Sequence, residues 1–107
     1  MRIPDDALIS REKLTAYLLV PQVKNDKSKF LAGAGFTQEN PDALEAAIRR
    51  LIAENDAVQD RENEYGVFYR VSGALAGPDG TLAVVTVWVL GTKENLYSFI
   101  TLKPDKE

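Results

Sequence analysis

Basic side chains are the most chemically informative residues of this 107-residue chain, because the sequence contains neither histidine nor cysteine. Serine–histidine–aspartate catalysis, cysteine nucleophiles and metal sites built on histidine or cysteine all need residues that the chain lacks. Any catalysis must use lysine, arginine, tyrosine, serine, threonine or carboxylates. The basic candidates are a lysine-rich loop and the single arginine of a long apolar segment: Lys24, Lys27, Lys29 and Arg70.

The loop that carries Lys24, Lys27 and Lys29 has the composition of a phosphate-binding segment. Lysine ammonium groups attract a phosphate, and Ser28 together with the start of a following helix would add N–H donors. Lysines next to an aspartate are also typical of a loop that is only solvated. Both interpretations stay open.

Helices are predicted in the first half of the chain, over residues 10–19, over residues 27–34, and from residue 41 to residue 54 or 55. The first has Ser10 as a suitable N-cap. The third has the clearest pattern, because Asn40 suits an N-cap, Pro41 suits a first helical position and apolar residues recur at three- and four-residue spacing. Its predicted buried stripe is Leu44, Ala47, Ile48, Leu51 and Ile52.

The second half of the chain changes to an alternating pattern that predicts strands. Short strands over residues 57–61 and 95–102 flank a long hairpin whose turn is Gly77-Pro78-Asp79-Gly80. Helices followed by antiparallel strands are typical of an α+β domain. We therefore expect a single domain over residues 1–107, with N-terminal helices packed on one face of a three- to four-stranded antiparallel sheet.

The register of the hairpin decides which side chains share a face of that sheet. A type I turn with a bulge at Gly80 would place Gly77 opposite Thr81 and Arg70 opposite Trp88. Counting from there predicts which side chains lie on the face that the helices leave uncovered: Arg70, Ser72, Thr86, Trp88, Tyr97, Phe99 and Thr101.

An arginine beside aromatic rings and hydroxyls suits the stacking of a nucleobase and the binding of a phosphate. On that interpretation the binding residues are Trp88, Phe99, Thr86 and Lys24. The same residue types are also common on exposed sheet faces because they pair well across strands. A purely structural role therefore stays open.

Charge and hydropathy indicate which ligands and which cellular location to expect. The net charge is −3, and an acidic middle over residues 36–66 argues against a broad nucleic-acid surface. No segment resembles a membrane span or a signal peptide, so we expect a cytoplasmic protein without membrane contact. Alternate positions of an extended segment carry the carboxylates of Asp60, Glu62 and Glu64, and this spacing could place all three on one side to bind Mg²⁺. The same spacing is equally typical of a charged edge strand. We expect neither a metal nor a cofactor.

Several segments together resemble a small uncharacterised bacterial domain family: KLTAYLL at residues 13–19, KSKFLAGAGF at 27–36, EYGVFYRVSGAL at 64–75 and FITLKP at 99–104. Domains of this family occur as free-standing proteins or at the C-terminus of secreted toxins and adhesins. The order of helices and strands also resembles the barnase, EndoU, colicin and RelE group of metal-independent ribonucleases.

The resemblance implies a toxin-like ribonuclease that cleaves RNA by attack of a 2′-hydroxyl on the adjacent phosphate. Its catalytic candidates are Lys27, Lys29 and Arg70 for the developing charge, and Tyr97 or Thr101 as hydrogen-bonding partners. The chain departs from the family in its loop, where VPQVKND replaces a His-Pro pair and a glycine. The alternative is a non-enzymatic module that uses the same face to bind a neighbouring small protein of antitoxin or immunity type. Formation of a homodimer also stays open.

Overall fold

The fold is described by a computed structural model that covers residues 1–23, 26–93 and 95–105. Its centre is one antiparallel sheet with the strand order β1-β2-β3-β4: β1 Ala57–Asn63, β2 Gly66–Gly77, β3 Gly80–Gly91 and β4 Tyr97–Pro104. The predicted α+β class is therefore confirmed. Among the described residues, no helix combines the length and the hydrophobicity that crossing a membrane requires.

The helices lie close to their predicted positions: α1 Arg11–Lys13, which continues as a π-helix over Leu14–Leu18, α2 Ser28–Ala32, and α3 Pro41–Glu54. Leu14 and Leu18 are both buried, so the π-helical turn still directs the apolar side chains into the core. Neither Ser10 nor Asn40 caps its helix through a side-chain hydrogen bond. The Asn40 side chain instead accepts hydrogen bonds from the backbone N–H and the hydroxyl of Thr37.

One hydrophobic core contains side chains of the helices and of the sheet. The predicted stripe of α3 is buried in it, and α3 lies against β2. The face of the sheet that contributes to this core, here called the core face, carries Val71, Leu75, Val84, Thr86, Trp88, Phe99 and Leu102. The opposite face, here called the open face, carries Phe68, Arg70, Ser72, Val85, Val87, Thr101 and Lys103.

The predicted register of the hairpin is wrong by one residue. Gly77 pairs with Gly80, so the turn contains only the two residues between them. Trp88 consequently lies opposite Tyr69 and not opposite Arg70. Because successive side chains alternate between faces, every β3 side chain lies on the face opposite to the predicted one. The predicted faces of β2 agree with the structure.

The tip of the hairpin packs closely against the segment that follows α2. A Cβ atom at Gly77 would lie 2.3 Å from the carbonyl oxygen of Ala34 and 2.8 Å from the ring of Phe36. The backbone N–H of Asp79 donates a 2.9 Å hydrogen bond to the same Ala34 carbonyl. The hairpin tip is therefore held against the segment after α2, a contact that local turn preferences do not contain.

Two bulges affect which side chains reach the open face. The β1–β2 pairing shifts at Asp60, and the β3–β4 pairing shifts at Ile100. A bulge adds one residue to one strand and so interrupts the alternation of faces. Thr101 therefore lies on the open face, whereas Phe99, two residues earlier, is buried in the core.

Candidate functional site

Arg70 lies near the middle of β2 on the open face. Its neighbours across the strands are Val58 on β1 and Val87 on β3, and its side chain is exposed. Its Nε atom lies 3.8 Å from Oδ1 of Asp60, and both side chains are partly exposed. An exposed ion pair of this kind contributes about 0.2–1 kcal/mol, so Asp60 leaves Arg70 available to another anion.

Lys27 and Thr101 bring a second positive charge to the row of Arg70. Lys27 precedes α2, and its Nζ donates a 3.1 Å hydrogen bond to Oγ1 of Thr101. Thr101 pairs with Val87, which in turn pairs with Arg70, so these residues follow one line across the sheet. The Nζ atom of Lys27 also lies 5.6 Å from the centre of the Tyr17 ring, a cation–π distance. The fold thus brings together three residues that were predicted to be catalytic.

A groove of about 630 Å³ opens beside this row. Its wall carries the positive charges of Lys27, Arg70 and Lys103 and the carboxylates of Asp26 and Asp105, and the Asp60 carboxylate lies beside Arg70. Among these described side chains, positive and negative charges are equal in number. An anion is still a suitable ligand, because Lys27, Arg70 and Lys103 can donate hydrogen bonds to it from one wall. Within the described parts of the chain, no group of three or more acidic side chains is placed to hold a metal ion.

The Asp26 carboxylate accepts hydrogen bonds from Ser28 within the same turn. Its Oδ1 accepts a 2.7 Å hydrogen bond from the Ser28 hydroxyl and a 3.0 Å hydrogen bond from the Ser28 backbone N–H. These bonds, the hydroxyl first, lower the pKa of Asp26 below its ordinary value. Asp26 therefore stabilises the turn that presents Lys27 to the groove.

Trp88, Thr86 and Phe99 were predicted on the open face, and that placement is wrong because all three are buried. The indole Nε1 of Trp88 donates a 2.8 Å hydrogen bond to Oγ1 of Thr86, whose hydroxyl donates at 3.0 Å to the Val71 carbonyl oxygen. The rings of Trp88 and Phe99 meet edge to face with centroids 5.3 Å apart. These side chains serve the core and offer no surface to a ligand on the open face.

Tyr97 lies on the core face opposite Leu90 and away from the groove, so its predicted place on the open face is wrong. Its ring packs against Tyr69 with centroids 5.6 Å apart, at the border of the core. Burial raises the pKa of Tyr97 above its ordinary value, and the neighbouring Tyr69 raises it further. The phenol is therefore protonated at neutral pH.

The lysine-rich loop does not form one site. Lys27 lines the groove, whereas Lys29 is exposed on α2 and lines a separate depression of about 310 Å³ beside Phe36. Lys24 lies outside the described residues, and its binding role stays a prediction.

Three open-face residues were not among the candidates from the sequence: Arg61, Phe68 and Lys103. Lys103 lies two residues after Thr101, so alternation along β4 is a signal that would have placed it on the same face. Arg61 pairs with Phe68, and the Cζ atom of Arg61 lies 4.6 Å from the centre of the Phe68 ring. That stacked pair depends on the bulge at Asp60, which the sequence does not signal.

Comparison with known proteins gives a family for this chain. No curated protein and no solved structure matches it. A family model described as a domain of unknown function, DUF6883, matches residues 3–106. The matched region contains all four strands and every groove residue. The chain therefore belongs to the DUF6883 family.

Proposed function

We propose that this domain acts on RNA as a metal-independent ribonuclease, with the groove on the open face as its site. The proposal is carried by the convergence of Lys27, Arg70 and Lys103, from three separate segments, beside the hydroxyl of Thr101. Three cations that line one groove can contact several oxygen atoms of the same anion. A phosphodiester is an anion that lysine and arginine recognise well.

RNA supplies its own nucleophile, the 2′-hydroxyl beside each phosphodiester. Attack of the 2′-oxygen on phosphorus breaks the bond to the 5′-oxygen and leaves a 2′,3′-cyclic phosphate and a 5′-hydroxyl. The transition state gains negative charge on the phosphoryl oxygens, which Lys27 and Arg70 would stabilise. Because Ser28 engages Asp26, we assign Asp105 as the base for the 2′-hydroxyl proton and the Lys27 ammonium as the proton donor to the 5′-oxygen.

The toxin-like role rests on the resemblance described from the sequence. A ribonuclease of this kind harms the cell that makes it unless another protein covers the site. We therefore propose a neighbouring small protein of antitoxin or immunity type as a partner that covers the groove.

The test is cleavage of an end-labelled RNA oligonucleotide by the purified chain in the presence of EDTA. Wild type is compared with Lys27→Ala, Arg70→Ala and Asp105→Asn. Arg50→Ala is the matched control, because Arg50 is exposed on α3 and does not line the groove. We expect wild type and Arg50→Ala to release products with 2′,3′-cyclic phosphate ends, and the groove variants to lose at least about tenfold in rate.

Other outcomes overturn the proposal in distinguishable ways. Cleavage that persists in Lys27→Ala and Arg70→Ala would remove the site from the open face. RNA that binds in the groove but stays intact would leave an RNA-binding module without catalysis. RNA that neither binds nor is cut would make the alternative, a module that binds a small protein, the better hypothesis.

A further inference from the structure

The Phe68 ring and the Arg61 guanidinium form a stacked pair on the open face. The two residues are cross-strand partners of β2 and β1, and the Arg61 Cζ atom lies 4.6 Å from the centre of the ring. Arg61 is exposed and Phe68 is partly exposed. The extra residue at the β1 bulge, Asp60, brings Arg61 opposite Phe68. The guanidinium therefore lies within cation–π distance of the ring, and both groups reach solvent.

This pair lies one step along β2 from the groove. Phe68 and Arg70 are two residues apart on the same face, which corresponds to roughly 7 Å along a strand. A nucleobase and the phosphate of the neighbouring nucleotide are separated by a comparable length. Aromatic rings and guanidinium planes are the surfaces on which proteins stack unpaired bases.

We infer that the open face binds single-stranded RNA with one base stacked on the Arg61–Phe68 pair and the adjoining phosphate in the groove at Arg70. The inference rests on the proposed function and adds to it a base-binding subsite. Double-stranded RNA keeps its bases paired within the helix and cannot use this subsite. Purines stack over a larger area than pyrimidines, so the subsite favours adenine or guanine over uracil.

The experiment compares three probes by fluorescence competition or calorimetry: hexa-adenylate and hexa-uridylate with 2′-O-methyl groups, which prevent cleavage through the 2′-hydroxyl, and inorganic hexaphosphate. The variants are Phe68→Leu and Arg61→Lys. The second keeps the charge of Arg61 and removes only its planar group. Tyr65→Leu is the control, since Tyr65 is an exposed aromatic residue outside the groove. Circular dichroism and thermal melting check that each variant is folded.

We expect Phe68→Leu and Arg61→Lys to weaken hexa-adenylate binding about tenfold, to weaken hexa-uridylate binding less, and to leave hexaphosphate binding unchanged. Equal binding of hexa-adenylate by both variants and wild type would overturn the base-binding subsite while leaving the phosphate groove intact. Failure of all probes to bind wild type would overturn the proposed function itself. If Phe68→Leu does not fold, Arg61→Lys decides the question alone.

Discussion

The ammonium group of Lys27 lies 3.1 Å from the hydroxyl of Thr101, a residue 74 positions later in the chain. A lysine side chain has about 2 kcal/mol of rotamer entropy, so an unattached ammonium samples many positions. The hydrogen bond to Thr101 restrains it at the wall of the groove that Arg70 also lines. A restrained ammonium group loses less entropy when an anion binds than a freely moving one does. It therefore binds the anion more favourably.

Thr101→Val therefore weakens RNA binding and cleavage without removing a charge. The valine side chain has nearly the same shape, but Lys27 loses its hydrogen-bond acceptor. We expect about a three- to tenfold loss in cleavage rate, measured with the labelled oligonucleotide. Thr92→Val, at an exposed position beyond the groove, is the control. A Thr101→Val rate equal to that of wild type would show that the hydrogen bond does not position Lys27.

Asp60→Asn strengthens RNA binding, whereas Thr101→Val weakens it. Asp60 competes for Arg70 with any anionic ligand, since the carboxylate lies 3.8 Å from Nε. Removing that charge strengthens RNA binding by about two- to fivefold at low salt, and the gain shrinks as salt screens it. Glu62→Gln makes the same charge change on the same strand. The prediction fails if both variants bind RNA equally.

Thr86→Val destabilises the fold. The substitution leaves the buried Trp88 N–H without its acceptor and removes the donor to the Val71 carbonyl. Leaving a buried polar group unsatisfied costs about 1–3 kcal/mol in the free energy of unfolding. Urea denaturation measures this cost, with Thr81→Val at an exposed position of β3 as the control. Equal midpoints for the two variants would contradict it.

Gly77→Ala tests the contact at the tip of the hairpin. Its Cβ atom would lie 2.3 Å from the Ala34 carbonyl oxygen, so backbone segments must move apart. We expect a loss of about 1–3 kcal/mol in the free energy of unfolding. Gly91→Ala is the matched control, because a Cβ atom there meets nothing within 4 Å. A Gly77→Ala protein as stable as Gly91→Ala would mean that the tip contact is not required.

Tyr97 makes stability depend on pH in the alkaline range. Burial and Tyr69 raise its pKa in the folded chain, so the unfolded chain loses the phenol proton first, near pH 10. The stabilisation is fully present below that pH and is lost as pH rises through the folded pKa. Urea denaturation across the alkaline range should show a smaller loss for Tyr97→Phe than for wild type. The control is Tyr65→Phe at an exposed position. Parallel curves for Tyr97→Phe and wild type would refute the prediction.

Sequence patterns alone determined the order of the elements and the faces of β2. The apolar stripe of α3 and the alternation around Val71 and Leu75 are local properties, so each is readable without knowledge of the rest of the chain. The same alternation correctly placed Arg70 on the open face. The lysine-rich composition of residues 24–29 also identified Lys27 as a candidate.

Only the tertiary structure decided which residues surround Arg70. The hairpin has a two-residue turn whose tip packs against Ala34, and a shift of one residue exchanges the faces of a whole strand. The bulge at Ile100 then placed Phe99 in the core, although Thr101, two residues later, lies on the open face. The tip contact joins segments that are distant in the sequence, and the bulge is defined by how β4 pairs with β3, so local preferences record neither feature. For that reason the predicted neighbour of Arg70, Trp88, lies in the core, while groups from the loop before α2 and from β4 form the groove.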